Sequence, residues 1–296
     1  MRFAKGHGTE NDFVILLDPG NSQGLTAGLA ARLCDRRAGI GGDGVLRAVR
    51  TARRAECAPG AGGGADEAPE SGAGAGADRP EWFMDYRNAD GSPAEMCGNG
   101  IRVFARYLAQ HGLVAGPEFT VASRSGPRRV RLGANGDVTV EMGSVAVLGP
   151  GSAVIGGQVY EGLRVSVGNP HLACLVGTPL AGFDLSRPPG LGSAEFPEGA
   201  NVELVQVTGP RSVAMRVHER GSGETRSCGT GAVAAAAAAA TAAGLDQGAW
   251  TVTVPGGQLT VTLDAGRAWL AGPAVIVAEG ELTPAWLACG AEEGKA

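Results

Sequence analysis

The tetrapeptide Cys97-Gly98-Asn99-Gly100 recurs, 131 residues later, as Cys228-Gly229-Thr230-Gly231. Each copy precedes a predicted helix: residues 101–108 have apolar side chains at helical spacing, and 232–243 are rich in alanine. A cysteine that begins a helix lies beside free backbone N–H groups and the positive end of the helix dipole, which stabilise a thiolate. Small residues behind it let an anion approach those N–H groups. The repeat therefore predicts two halves of one site, each with a thiol and an anion cradle.

Two opposed thiols suit the inversion of a carbon centre. One sulfur can remove a proton from one face of the carbon while the other returns a proton to the opposite face. This chemistry requires one thiolate and one thiol, so the two cysteines titrate as a unit. We expect the helix termini and polar neighbours to lower the thiol pKa from its usual value of about 8.5. The pattern indicates a racemase or epimerase.

Composition excludes several classes of protein. The chain has 296 residues, enough for two domains, and its net charge of −5 argues against a nucleic-acid partner. The alanine-rich run is too short to span a membrane, and polar residues follow the amino terminus too soon for a secretory signal, so we predict a cytoplasmic protein. Six cysteines are too sparse for a disulfide scaffold, and the lack of a CxxC pair argues against a metal site.

Short predicted strands alternate with turn signals along the chain, which indicates an α+β protein. A helix is predicted at 26–35, and a hairpin turn at Asn135-Gly136. After Gly149-Pro150-Gly151 the strand pattern starts again. Residues 55–78, of which 15 of 24 are Gly or Ala, predict a flexible insertion. Strands are predicted at 13–17, 44–49, 82–87, 130–132, 138–142, 157–167, 171–176, 202–208, 213–219, 252–255, 259–263, 268–271 and 275–278.

Each half of the chain thus contains many short strands and one main helix that a Cys-Gly-x-Gly motif begins. We predict an N-terminal half at 1–147 and a C-terminal half at 148–273. Residues 274–296 are predicted to form a returning strand and a tail that pack on the first half. The predicted active site lies in the cleft between the two similar domains.

Six sequence blocks resemble the diaminopimelate epimerase family in their order and spacing. The resemblance covers nearly the whole chain except 55–78. It implies a cofactor-free, pyridoxal-independent isomerase that interconverts LL- and meso-diaminopimelate in lysine and peptidoglycan precursor synthesis. It also implies two pseudo-symmetric domains, each a curved mixed sheet or barrel around a central helix. The blocks are 7–13, 35–44, 88–100, 168–171, 196–201 and 218–231.

The resemblance also implies roles for individual residues. Cys97 and Cys228 match the catalytic cysteines of the family, and His171 and Glu219 match the polar pair that conditions their pKa. Gly44 stands where some members carry a substrate-contacting Gln, so no role is predicted for it. A small-molecule substrate is the expected partner, no membrane partner is expected, and a homodimer is compatible with the pattern. The residues that match substrate contacts are Asn11, Asn88, Gly98, Asn99, Asn169, Asn201, Glu219, Arg220, Gly229 and Thr230.

Two alternatives remain open. The first is a proline racemase or hydroxyproline epimerase of the same architecture, whose substrate is a ring without a second charged end. The asparagines and Arg220 favour a substrate with a distant amino-carboxylate group, which an Arg can bind in a bidentate manner. The second is a non-catalytic redox or metal-sensing protein in which Cys97 and Cys228 form a disulfide or bind a metal. The sequence does not decide which cysteine serves which stereoisomer.

Overall fold

The computed structural model describes residues 1–53 and 80–288. The insertion predicted at 55–78 lies outside the described residues. The first half contains β1 Arg2–Gly8, β2 Asn11–Leu17, α1 Ala27–Cys34, β3 Gly44–Arg50, β4 Trp82–Asn88, α2 Gly98–Gln110, β5 Glu118–Ser123, β6 Gly126–Leu132 and β7 Asp137–Ser144.

The second half begins directly after β7. It contains β8 Ala146–Ile155, β9 Gln158–Ser166, β10 Pro170–Leu175, β11 Gly190–Leu191, β12 Asn201–Gly209, β13 Ser212–Glu219, β14 Gly223–Thr225, α3 Gly229–Ala242, β15 Gly248–Val254, β16 Gly257–Asp264 and β17 Arg267–Pro273. The final elements are β18 Val275–Glu281 and α4 Pro284–Ala288. Within the described residues, none of the helices is both long and apolar enough to cross a lipid bilayer.

The two halves repeat one order of strand pairing. From β1 to β7 the pairs are antiparallel, parallel, antiparallel, parallel, antiparallel and antiparallel. The series β9, β10, β12, β13, β15, β16 and β17 repeats this order step by step. In each series the main helix connects the fourth strand to the fifth. The predicted α+β fold of two pseudo-symmetric halves, each with mixed strands around a central helix, is confirmed.

The halves are tied together at both ends of the repeated order. β18, which follows the second series, returns to pair with β1, the first strand of the first series. The equivalent place beside β9, the first strand of the second series, is taken by β8. The last strands of the two series, β7 and β17, pair with each other. One continuous sheet therefore runs through both halves. The domain limits of 1–147, 148–273 and 274–296 stay predictions.

The two central helices are buried in different ways. In α2, Ile101, Phe104 and Leu108 recur at helical spacing and are fully buried beneath the first sheet. In α3, residues 229–240 are all buried, and strands β9, β10, β12, β13, β15, β16 and β17 surround the helix. Alanine has the highest helix propensity and a small side chain, so strands can approach α3 from every side.

One local prediction is wrong. Gly149-Pro150-Gly151 was expected to separate two strand regions, but the structure places all three residues inside β8. The ladder with β9 shifts register between Val147 and Gly149, and Gly149 has a φ of +105°. Among the described residues, Pro150 pairs on one side only, with Leu163. The missing N–H of Pro150 therefore removes no hydrogen bond to a second neighbouring strand.

Candidate active site

The two cysteines of the repeated motif occupy the same position in their helices. Cys97 is the N-cap residue of α2, and Cys228 is the N-cap residue of α3. Each sulfur accepts a hydrogen bond from the backbone N–H three residues later, Gly100 or Gly231, at 3.3 Å. These N–H groups have no partner inside their helix, so they are available to negative charge on the sulfur.

The two helix starts lie against each other. A Cβ atom placed on Gly229 would lie 3.2 Å from the Cα of Gly98 and 3.3 Å from the backbone nitrogen of Asn99. A Cβ on Gly98 would lie 2.8 Å from the Cε of Met142, on β7. Larger residues would therefore push the two helix termini apart. The glycine after each cysteine permits this close approach.

Amide side chains surround the sulfur of Cys97. The Cys97 thiol donates a long hydrogen bond of 3.6 Å to the Oδ1 of Asn11, which also accepts from the Nδ2 of Asn99 at 3.3 Å. The same Nδ2 donates to the carbonyl oxygen of Ser227 at 3.1 Å. The Nδ2 of Asn11 donates to the Oδ2 of Asp43 at 2.7 Å. The first helix start is thus bonded to the residue that precedes Cys228.

A chain of polar contacts leads away from the sulfur of Cys228. Its Sγ lies 3.5 Å from the Oγ1 of Thr230, which accepts from the Nδ2 of Asn169 at 3.4 Å. The Oδ1 of Asn169 lies 3.0 Å from the Nε2 of His171. The Nδ1 of His171 lies 2.7 Å from the Oε1 of Glu203. His171 therefore reaches Cys228 through Asn169 and Thr230.

Glu203 is a site residue that the sequence prediction missed. Both Glu203 and His171 are fully buried, and the Oε2 of Glu203 has no hydrogen-bond partner among the described residues. A Cβ on Gly231 would lie 2.7 Å from the Oε1 of Glu203, so this carboxyl group lies directly beneath the start of α3. The signal that could have found it is an acidic residue inside the apolar strand 202–205, since a buried carboxyl needs a partner.

The segment at the end of β13 contributes a carboxyl group and a guanidinium. Glu219 accepts a hydrogen bond from the hydroxyl of Thr225, and its charge raises the pKa of Cys228. The backbone N–H of Arg220 donates to the Oδ1 of Asn201 at 2.8 Å, which fixes the chain at this point. The Arg220 side chain is 44% exposed, and its Nη1 donates to the carbonyl oxygen of Glu198 at 3.1 Å. Its other nitrogens can bind an arriving anion.

Burial raises the pKa of both thiols. The pKa of Cys97 is raised to about 11, although the N–H of Gly100 acts in the opposite direction. The pKa of Cys228 lies well above its usual range because of burial and the carboxyl groups of Glu219 and Glu203. The expectation that helix termini and polar neighbours lower these pKa values is wrong, because desolvation of the thiolate outweighs the N–H groups. Burial also raises the pKa of Glu219.

Tyr86 is a second residue that the prediction missed. A Cβ on Gly44 would lie 2.6 Å from the Cε2 of Tyr86, so the tyrosine ring fills the space beside this glycine. Burial raises the pKa of Tyr86, and the charges of Cys97 and Glu219 add to the effect. The carbonyl oxygen of Arg87, 2.5 Å from the same Cβ position, and the aromatic ring together explain why residue 44 carries no side chain.

The structure brings most of the predicted residues into two bonded groups. Asn11 and Asn99 join Cys97, and Thr230, Asn169 and His171 join Cys228, while Glu219 acts on Cys228 through its charge. Asn201 and Arg220 form a separate pair. Asn88 lies apart from these groups in its bonding, because its Nδ2 donates to the Oγ of Ser92 at 3.0 Å. The roles of all these residues stay predictions.

Comparison with known proteins identifies close relatives. The model of the family described as diaminopimelate epimerase matches residues 3–148 and 163–282. The diaminopimelate epimerase of Thermobifida fusca is 58% identical over 282 residues, which covers 95% of this chain and 98% of that protein. The diaminopimelate epimerase of Mycolicibacterium smegmatis is 51% identical over 295 residues, with coverage of 97% and 98%.

Solved structures of lower identity share the fold. A Bacillus anthracis phenazine biosynthesis protein of the PhzF family superposes with a TM-score of 0.66 at 17% identity, covering 96% of this chain and 99% of its own. A hydroxyproline epimerase from Agrobacterium vitis, with bound trans-4-OH-L-proline, superposes with a TM-score of 0.59 at 13% identity, covering 97% and 93%. At such identities the likeness concerns the fold alone.

Proposed function

Because the chain belongs to the diaminopimelate epimerase family, we propose that it interconverts LL- and meso-diaminopimelate by proton transfer between Cys97, Cys228 and the α-carbon. The observation that carries this proposal is the contact between two helix N-termini, each of which begins with a free cysteine. Neither sulfur is engaged in a disulfide. The arrangement offers two acid–base groups and two sets of N–H donors to one small substrate.

The proposed reaction moves one proton off the α-carbon and one proton onto it. The thiolate of one cysteine removes the α-proton, and the electron pair of the broken C–H bond moves towards the substrate carboxylate. Backbone N–H groups of residues 98–100 and 229–231 stabilise the charge that develops there. The thiol of the other cysteine then donates its proton to the opposite face. The two cysteines have exchanged protonation states, and the configuration of the carbon is inverted.

The surroundings of the two sulfurs support Cys97 as the cysteine that loses its proton more readily. Cys228 faces the carboxyl groups of Glu219 and Glu203, which both raise its pKa. Cys97 is affected by Glu219 but also by the guanidinium of Arg102, which lowers its pKa. The removal of one proton from the pair therefore costs less at Cys97 than at Cys228. Of the two singly ionised forms of the enzyme, the one with a Cys97 thiolate and a Cys228 thiol is therefore favoured, and it reacts with the isomer that presents its α-proton to Cys97.

The distal end of the substrate is assigned to the second half of the site. Arg220 is half-exposed, and Asn201 holds its backbone, so its guanidinium can bind the distal carboxylate in a bidentate manner. Asn11, Asn88 and Asn169 supply amide groups for the remaining polar atoms. Neither proline nor hydroxyproline has a second carboxylate that needs such a set of partners.

Incubation of the protein with LL-diaminopimelate in deuterated water tests the proposal. We expect the meso isomer to form without added cofactor and with deuterium at one α-carbon, because the incoming proton comes from a thiol that exchanges with solvent. The Cys97→Ala variant is the control for adventitious exchange. Racemisation of proline at a comparable rate would favour the racemase alternative. Absence of any exchange would favour the non-catalytic redox alternative.

We also propose that the enzyme acts in the cytoplasm as a homodimer without a metal or cofactor. The reaction requires two reduced thiols, and all four cysteines among the described residues are free. Strand β18 pairs only with β1 among the described residues and exposes Val275 and Val277, which offers an apolar edge to a second copy. Sedimentation of the purified protein tests the dimer, and elemental analysis tests the absence of a metal.

A further inference from the structure

A guanidinium is completely buried beneath the start of α2. Arg102 follows Cys97 by five residues, and its side chain has no exposed surface. Its Nη2 donates to the Oγ1 of Thr9 at 3.2 Å, whereas its Nε and Nη1 have no hydrogen-bond partner among the described residues. No carboxylate of these residues forms an ion pair with it. Such a cation is costly to bury, and its presence calls for an explanation.

Arg102 lies at the junction between the two halves. Thr9, which it contacts, has a left-handed φ of +50°, and the Oγ1 of Thr9 lies 2.6 Å from the Oγ of Ser227. Ser227 directly precedes Cys228. The guanidinium thus connects the helix of one catalytic cysteine to the residue before the other.

Glycines make room for the guanidinium. A Cβ on Gly8 would lie 3.0 Å from the Nη2 of Arg102, and a Cβ on Gly272 would lie 3.7 Å from its Cζ. These glycines belong to β1 and β17, which come from different parts of the chain. The fold therefore leaves space for the buried guanidinium of Arg102, although an apolar side chain in the same space would carry no desolvation cost.

The charge of Arg102 persists at neutral pH. Burial lowers the pKa of its guanidinium to about 10, which is still far above neutrality. The titratable groups that act on it are Cys97 on its own helix and Asp137 on β7. The charges of Arg102 and of Glu219, at the end of β13, act in turn on the pKa of Cys97, and Cys97 acts on the pKa of Tyr86 on β4. Among these groups, Arg102 is the one that favours a thiolate at Cys97.

We propose that Arg102 is a positioning residue for proton transfer: its buried charge stabilises the Cys97 thiolate, and its bond to Thr9 holds the start of α2 against Ser227. The inference rests on the proposed role of Cys97 as a base. The reaction creates negative charge at the sulfur and at the substrate carboxylate, and a fixed cation in the low-dielectric interior stabilises both without reorganisation. During the reaction, the Cys97 thiolate and the substrate carboxylate then provide the negative charge that pairs with Arg102.

The test compares Arg102→Met with Arg102→Lys in the full chain. The rate of alkylation of Cys97 by iodoacetamide is followed against pH, and the modified peptide is quantified by mass spectrometry, so other cysteines do not interfere. In Arg102→Met we expect the midpoint of this profile to rise by about one pH unit or more, and kcat to fall at least about tenfold with little change in KM. Arg102→Lys retains the charge and should keep a midpoint close to that of the unmodified chain.

Two further observations separate charge from structure. Thr9→Val removes the hydrogen bond but leaves the guanidinium, so it should lower kcat without moving the Cys97 midpoint. If Arg102→Met does not fold, Arg102→Gln provides the same loss of charge with a polar side chain. A folded variant without the charge that keeps the original Cys97 midpoint would overturn the inference. Because alkylation needs no diaminopimelate, a moved midpoint in a protein that does not epimerise this substrate would overturn only the proposed function.

Discussion

The starts of α2 and α3 share one backbone geometry and differ in charge. Cys97 and Cys228 are both N-cap residues, and the sulfur of each accepts a hydrogen bond from the backbone N–H three residues later at 3.3 Å. Cys97 contacts the amide of Asn11, and the buried cation of Arg102 lowers its pKa, whereas the carboxyl groups of Glu219 and Glu203 raise the pKa of Cys228. Repetition of the fold therefore fixes where the two sulfurs lie, and the side chains that were not repeated decide which of them ionises first.

A second difference concerns the helices themselves. α2 presents an apolar face to its sheet and carries Arg102 in its buried part, while nine of the 14 residues of α3 are alanine and strands enclose this helix. The enclosed helix leaves no space for a long side chain equivalent to Arg102. The electrostatic asymmetry of the two thiols thus follows from the way each helix packs.

The largest expected effect comes from removing either sulfur. Cys97→Ala and Cys228→Ala should each lower epimerisation by at least about 10²–10⁴-fold, the usual contribution of a general acid or base. The fold should persist, which circular dichroism can check. Chiral chromatography of the product measures the activity. If one alanine variant retains full activity, the two sulfurs are not the two bases.

Serine variants sharpen the comparison between the sulfurs. A hydroxyl can donate a proton but is a poor base at neutral pH. Cys228→Ser should therefore keep slow exchange of the isomer that Cys97 deprotonates, and Cys97→Ser should lose that exchange. Deuterium incorporation into each isomer, followed separately, distinguishes the two variants. Equal residual exchange in both variants would contradict the assignment of Cys97 as the easier base.

The next effect concerns Arg220, the guanidinium that the second half contributes to the site. Arg220→Lys should reduce kcat/KM for diaminopimelate at least about tenfold, because lysine cannot form the bidentate pair and a charge-assisted hydrogen bond contributes about 1.5–3 kcal/mol. Arg187→Lys, at an exposed position, serves as the matched control and should leave kcat/KM unchanged. An Arg220→Lys enzyme with the original kcat/KM would show that the distal carboxylate is bound elsewhere.

A smaller effect is expected from the paired glycines at the two helix starts. Gly229→Ala brings a methyl group against the backbone of residues 98 and 99, whereas Gly98→Ala meets the flexible end of Met142. We expect Gly229→Ala to destabilise the protein by about 1–2 kcal/mol and Gly98→Ala by less, because the methionine can move and the backbone cannot. Urea unfolding measures both. A larger cost for Gly98→Ala would mean that Met142 is held rigidly.

The repeated cysteine motif allowed the two-half fold and the two helix starts to be predicted, because small residues after a cap leave a local signature.

Strand β1 was missed for a physical reason. Its inward positions are Ala4, Gly6 and Gly8, which are too small to give an apolar alternation. Gly6 is required because a Cβ there would lie 2.9 Å from the Cγ1 of Val103 on α2. Because α2 packs closely on β1, the inward positions of this strand are small residues. The alternation of large apolar and polar residues that predicts a strand is therefore missing.

The site was predicted less completely than the fold. Residues inside the matching blocks could be assigned by resemblance, whereas Glu203 and Arg102 lie outside those blocks and their burial is seen only in the structure. The pKa of the thiols was predicted in the wrong direction for the same reason. Local features of a helix start suggest a low pKa, and only the packed structure reveals that desolvation is larger.

The smallest effect is a loss of stability at alkaline pH that distinguishes the chain from its Cys97→Ser variant. The pKa of Cys97 is raised from 9.0 to about 11 in the folded protein, so the folded state holds this proton more tightly than the unfolded state. The stability that the neutral thiol contributes is present below pH 9.0 and is lost as the pH rises towards 11. Because Cys97 is partly exposed, we expect a difference of about 1 kcal/mol.

Urea unfolding at several pH values between 8 and 11, in about unit steps, measures this difference. The free energy of unfolding of the unmodified chain should fall towards that of Cys97→Ser as the pH rises through the range set by the Cys97 thiol. Cys34 and Cys174 also have raised pKa values and contribute equally to both proteins, so their effect cancels in the comparison. If the free energy of unfolding of the unmodified chain instead rises relative to that of Cys97→Ser as the pH increases, the folded state favours the Cys97 thiolate. The raised pKa of Cys97 would then be wrong.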